Sequence, residues 1–98
     1  MARATISTHV LDTAFGKPRA GVRVVVQRGP RRVGEGTTDD DGRIGELAKD
    51  LEPGAYELVF TIGGPFFEQI ALTVNVDEGH YHVPLLLSPF GAATYRGS

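Results

Sequence analysis

Apolar side chains recur at every second position through most of this 98-residue chain. That spacing commits it to strands, because alternate residues of a strand share a face, whereas a helix repeats its apolar face every three to four residues. Ile6, Thr8 and Val10 alternate with Ser7, His9 and Leu11, and Val22, Val24 and Val26 alternate with Arg23, Val25 and Gln27. Tyr56, Leu58, Phe60 and Ile62 alternate with Glu57, Val59 and Thr61, and Ile70, Leu72, Val74 and Val76 with Ala71, Thr73 and Asn75. Turn formers separate these runs: Gly16-Lys17-Pro18, Gly29-Pro30, Asp39-Asp40-Asp41-Gly42, Glu52-Pro53-Gly54, Gly63-Gly64-Pro65 and Asp77-Glu78-Gly79. Short strands at this interval specify an all-β fold, an antiparallel two-sheet sandwich. Residues 46–51 are the one helix candidate. A chain of this length buries a single core and forms one domain over 1–98, with no room for a separate cofactor domain.

Charge and composition narrow the partners. The net charge is −2 and the basic residues are scattered apart from the group at 28–32, so no nucleic-acid footprint is expected. The chain has no cysteine, which removes disulfides and thiolate chemistry and fits a reducing compartment. Its apolar runs are too short to span a bilayer as a helix, and Met1-Ala2-Arg3-Ala4 leads directly into strand-like sequence without a signal-peptide core. The expected location is cytoplasmic, or periplasmic if a presequence has been removed, with no membrane partner.

Residues 81–87 depart from simple alternation. Tyr81, Val83, Leu85 and Leu87 point one way and His82, Pro84 and Leu86 the other, so beyond His82 both faces are apolar. One face fills the sandwich; the second needs a cover, either another subunit or a loop or tail of the same chain. Proline lacks a donor, so Pro84 belongs where the strand edge is unpaired or bulged.

His80 and His82 project from one face of that strand, and His9 projects from the outward face of the first strand. Each histidine singly also reads as a surface or hydrogen-bonded structural residue. As a set they suit acid–base chemistry, and three histidines can also ligate zinc with an open position, although no Asp or Glu accompanies the His-X-His pair. Arg43, directly after Asp41-Gly42, reads locally as an exposed residue closing a hairpin turn.

Ser7-Thr8-His9-Val10-Leu11-Asp12, Asp41-Gly42-Arg43, and the run from His80-Tyr81-His82-Val83-Pro84 through Ser88-Pro89-Phe90-Gly91 to Tyr95-Arg96-Gly97-Ser98 together resemble the transthyretin-related 5-hydroxyisourate hydrolases of urate degradation. The resemblance spans residues 7–26, 38–60 and 66–98. It implies hydrolytic opening of the six-membered ring of 5-hydroxyisourate to 2-oxo-4-hydroxy-4-carboxy-5-ureidoimidazoline, in a homotetramer, without cofactor or metal. It implies catalytic roles for His9, Arg43, His82 and Ser98, and substrate contacts from His9, Arg43, Tyr95, Arg96, Gly97 and Ser98. Such a hydrolysis needs a base for the attacking water and donors for the oxygen that becomes anionic. His82 suits the first task, Arg43 the second, and His9 assists proton transfer, with no covalent intermediate required. A non-catalytic small-molecule carrier of transthyretin type is the alternative on the same scaffold, and a sandwich module appended to other domains is a third.

The chain departs from that pattern at Thr61-Ile62-Gly63-Gly64-Pro65, where relatives carry a longer connection with a short helix. A tight turn between antiparallel strands is expected instead. Phe90-Gly91-Ala92-Ala93 also replaces a more aromatic, hydroxyl-bearing stretch. The final four residues are expected to fold back and line the site rather than fray.

Overall fold

The computed structural model describes residues 3–97. In chain order the strands are β1 (Ala4–Asp12), β2 (Lys17–Pro18), β3 (Arg23–Arg28), β4 (Arg31–Thr37), β5 (Arg43–Leu51), β6 (Gly54–Thr61), β7 (Gln69–Val76), β8 (Gly79–Leu87) and β9 (Ala92–Thr94). They make the expected two-sheet sandwich. One sheet runs β4-β3-β6-β7 and is antiparallel throughout. In the other, β1 is central: β8 and then β9 lie on one side, while β5 and β2 take successive lengths of the other.

The inward residues of the alternating runs meet between the sheets. Ile6 and Val10 from β1, Val24 and Val26 from β3, Leu58 and Phe60 from β6, and Leu85 and Leu87 from β8 are all at most 1% exposed. Thr8 shares that buried row because its hydroxyl is satisfied, donating to the Val83 carbonyl at 2.7 Å. Burying each large aliphatic or aromatic side chain contributes about 1.5–3 kcal/mol, so this row carries the fold and the outward row is left for other uses.

Two features differ from the sequence reading. Residues 46–51 are strand, not helix, and belong to β5. Leu47, Ala48 and Leu51 are buried there, a spacing that imitates a helical stripe. Its cause is irregular pairing: Ala4, Ile6 and Thr8 pair with Leu51, Ala48 and Ile44, so β5 spends extra residues against β1 and its inward positions slip off strict alternation. The second feature is that β1 and β8 are parallel, from Ala4↔Gly79 to Asp12↔Leu87, within an otherwise antiparallel molecule. Parallel neighbours need a long crossover, and the whole second sheet provides it.

The shortened connection forms as expected. β6 and β7 pair from Thr61↔Gln69 to Gly54↔Val76, and the link closes through Ile62 N–H and Gly63 N–H donating to Glu68 O at 2.8 and 3.0 Å. Pro84 also meets expectation. Its carbonyl faces β9 and accepts from the Thr94 hydroxyl at 2.8 Å, beyond the end of the β8–β9 ladder at Leu85↔Thr94, where no backbone donor is missed.

Candidate active site

The outward row of the β5-β1-β8 sheet gathers the chemistry. On β1, Thr5, Ser7 and His9 alternate with the buried Ala4, Ile6, Thr8 and Val10. The parallel register places Thr5 beside His80, Ser7 beside His82 and His9 beside Pro84. The antiparallel register on the other side places His9 beside Arg43. Residues from the two ends and the middle of the chain therefore share one surface three strands wide.

A closed turn delivers Arg43. Asp39 Oδ1 accepts from the backbone N–H groups of Asp41 and Arg43, both at 2.9 Å, and Gly42 N–H donates to Asp39 O at 2.9 Å. Gly42 takes a φ of +75°, and a β-carbon there would stand 2.4 Å from the Val10 carbonyl oxygen. Only glycine fits both the conformation and the gap. Val10 N–H then donates to Gly42 O at 2.7 Å, which clamps the turn onto β1 beside His9. The exposed Arg43 has no carboxylate partner among the described residues. Its donors are free for a substrate oxygen.

His9 Nε2 lies 2.8 Å from the carbonyl oxygen of Asp41. A carbonyl only accepts, so Nε2 carries a proton and Nδ1 is the nitrogen of neutral His9 that can exchange one. His9, Leu11, Pro18, Asp41 and Arg43 line an open cleft of about 630 Å³. His82 stands on the neighbouring strand beyond Ser7. Its ring is held at Nδ1, 2.8 Å from Ser7 Oγ, and burial, followed by the nearby charges of His9, His80 and Arg43, holds its pKa below the ordinary histidine value. His82 is therefore neutral at physiological pH, the state a base needs.

The C-terminal segment divides. Gly97 N–H donates to His82 O at 2.7 Å, and Gly97 packs against the His82 ring. Arg96 instead places its guanidinium over the Tyr81 ring, 4.2 Å from the centroid. Tyr95 and Arg96 line a different cavity of about 640 Å³ at the open edge between β7 and β8, with Leu72, Val74 and Tyr81. Ser98 lies outside the described residues. Among the sequence candidates, the structure thus brings His9, Arg43, His82 and Gly97 together and turns Tyr95 and Arg96 elsewhere.

His80 joins neither the cleft nor a metal cluster. Its Nδ1 is 2.6 Å from Thr5 Oγ1 and its Nε2 is 2.8 Å from Ser7 Oγ. Among the described residues no group of three or more His, Cys, Asp or Glu is arranged to hold a metal ion, and no helix is long and apolar enough to cross a membrane. Thr5 and Ser7 were missed from sequence. Their only signal was that they share the His9 face, and nothing local said that β8 would run beside them.

Residues 6–97 match the model of the HIUase/Transthyretin family. The 5-hydroxyisourate hydrolase of Deinococcus radiodurans is 42% identical over 113 positions, covering 95% of this chain and 95% of that protein. The alignment is longer than the chain, so this chain carries deletions relative to that relative. The structure of Klebsiella pneumoniae 5-hydroxyisourate hydrolase superposes with a TM-score of 0.90 at 32% identity, covering 97% of this chain and 99% of that one. Sea bream transthyretin in complex with thyroxine superposes at 0.84 with 26% identity, covering 95% and 94%.

Proposed function

The chain belongs to the HIUase/Transthyretin family, and from that premise we propose that it hydrolyses 5-hydroxyisourate at the face shared by His9, Arg43 and His82. The observation that carries this reading is the register: β5, β1 and β8 are adjacent, and His9 pairs with Arg43 while Ser7 pairs with His82. A neutral imidazole, a second imidazole with one nitrogen committed to a carbonyl, and a guanidinium without a carboxylate partner among the described residues are the groups that water addition to a ring carbonyl requires.

In this mechanism the Arg43 guanidinium receives the carbonyl oxygen and the negative charge that gathers on it. His82 takes a proton from the attacking water as the new C–O bond forms. The ring C–N bond then breaks, the leaving nitrogen is protonated from His9 or His82, and the acyl carbon ends as a carboxylate. Gly97 lets the chain pass against the His82 ring. Tyr95-Arg96 carry the chain there, and Ser98 is the substrate and catalytic contact that the family resemblance implies.

The test is the ultraviolet decay of 5-hydroxyisourate generated from urate by urate oxidase. Added protein should hasten it, and His82→Ala or Arg43→Ala should each cost about a hundredfold or more in kcat. Decay at the uncatalysed rate would leave the carrier reading, to be separated by binding without turnover. We also propose a homotetramer. The outward Leu86 is only half-buried, and among the described residues β7 and β9 are sheet edges without a neighbouring strand, surfaces that further copies of the chain would cover.

A further inference from the structure

We infer that Ser7, backed by His80 and Thr5, is a positioning residue that holds His82 as its Nδ1–H tautomer and leaves Nε2 bare for the attacking water. The inference rests on the reading of His82 as the base.

Four side chains form one chain of hydrogen bonds: Thr5 Oγ1 to His80 Nδ1 at 2.6 Å, His80 Nε2 to Ser7 Oγ at 2.8 Å, and Ser7 Oγ to His82 Nδ1 at 2.8 Å. Ser7 is only 7% exposed and has no other side-chain partner among the described residues. Its hydroxyl has a single proton, so that proton goes to one of the two rings and the other ring donates to it. The whole chain therefore runs in one of two senses. In one, His82 Nδ1–H donates to Ser7, Ser7 donates to His80 Nε2, and His80 Nδ1–H donates to Thr5. In the other every donor is reversed and His82 keeps its proton on Nε2.

The surroundings select the first sense. The titratable and charged groups facing His82 are Arg43 on β5, His9 on β1 and His80 on β8, and among the described residues no carboxylate is hydrogen-bonded to it. A lone pair on Nε2 is attracted by the Arg43 cation, whereas an N–H dipole there is repelled. Ser7 holds one edge of the ring, and the other edge is closed by Gly97, next to Cδ2. Nε2 is thereby fixed at the outer tip. Ser7 does for His82 what a buried carboxylate does for the histidine of a serine-hydrolase triad, with a neutral hydroxyl in its place. Unlike a carboxylate, it does not raise the imidazole pKa, so the base stays unprotonated.

The test is nitrogen-15 NMR of histidine-labelled protein at about pH 8, read alongside kinetics. Wild-type His82 should show a protonated Nδ1 and a bare Nε2. In Ser7→Ala it should move to the Nε2–H form that free imidazole favours in water. In that variant kcat should fall about tenfold to a hundredfold with KM changed little. Ser7→Thr keeps the hydroxyl and should restore both the tautomer and most of kcat. A bare Nδ1 in the wild type, or an unchanged tautomer in Ser7→Ala, would overturn the inference while leaving the roles of His9 and Arg43 intact. Full turnover in His82→Ala would instead overturn the reading beneath it, and with it the catalytic purpose assigned to Ser7.

Discussion

Gly97 and His82 touch so closely that a β-carbon at position 97 would stand 2.6 Å from Cδ2 of the imidazole and 3.3 Å from Cγ. The ring cannot simply retreat, because Ser7 holds its far edge and the Gly97 N–H is bonded to the His82 carbonyl. Gly97→Ala should therefore rotate the ring away from Ser7 or push the terminal segment off β8. We expect kcat/KM to fall by about tenfold or more, equivalent to ~1.4 kcal/mol, with the melting temperature within a few degrees of wild type. Unchanged kinetics in Gly97→Ala would show that the ring position there is immaterial.

The lowered His82 pKa fixes the sign of the pH dependence. Burial first, then His9, His80 and Arg43, disfavour the imidazolium. A neutral base gives a kcat/KM that is level above the ordinary histidine value of ~6.5 and falls on the acid side with a midpoint below it. His80→Gln removes one of the groups that disfavour the His82 imidazolium and should move that midpoint upward. The unfolded chain binds this proton more tightly than the folded one, so the His82 contribution to stability is full above the ordinary value and declines as pH falls toward the lowered pKa. An acid midpoint above the ordinary value would contradict the assignment.

Gly42 ties the Arg43 turn to β1. Gly42→Ala forces a side chain into left-handed backbone and against the Val10 carbonyl, 2.4 Å from the new carbon. The cost should be about 1–3 kcal/mol of stability, measured by denaturant unfolding. Turnover should drop as well, because Arg43 loses its register with His9.

Sedimentation at micromolar concentration should give a mass four times that of the chain. Leu86→Glu, on the outward face of β8, should shift the distribution toward smaller species. A fully active monomer would show that each site is complete within one subunit and would remove the homotetramer from the proposal.

Much of this arrangement was legible in sequence because strands write their faces in a period of two. Ile6, Val10, Leu85 and Leu87 declared the core, and the same alternation set His9 and His82 outward. The expectation failed where pairing is irregular: the bulged contact of β5 with β1 buries Leu47 and Ala48 side by side, and local periodicity carries no record of a partner strand. The hydroxyls of Thr5 and Ser7 were silent for a related reason. A serine on a strand is ordinary, and its importance depends on a parallel neighbour that no short-range pattern announces. Arg96 illustrates the converse, since its motif suggested the site while its guanidinium lies over the Tyr81 ring.

The pairing of β1 with β8 also sets a timetable. Ser7 and His82 are separated by 75 positions, so on a ribosome adding roughly 5–20 residues per second the first strand waits on the order of ten seconds for the partner that completes its outward face. Until then it can pair only with β2 and β5, with the other edge open to any passing strand. A truncated or stalled product holding every residue up to β7 would contain His9 and Arg43 but not His82, and β1 would lack the partner that covers its second edge. The face shared by His9, Arg43 and His82 is thus completed only when β8 comes to lie beside β1.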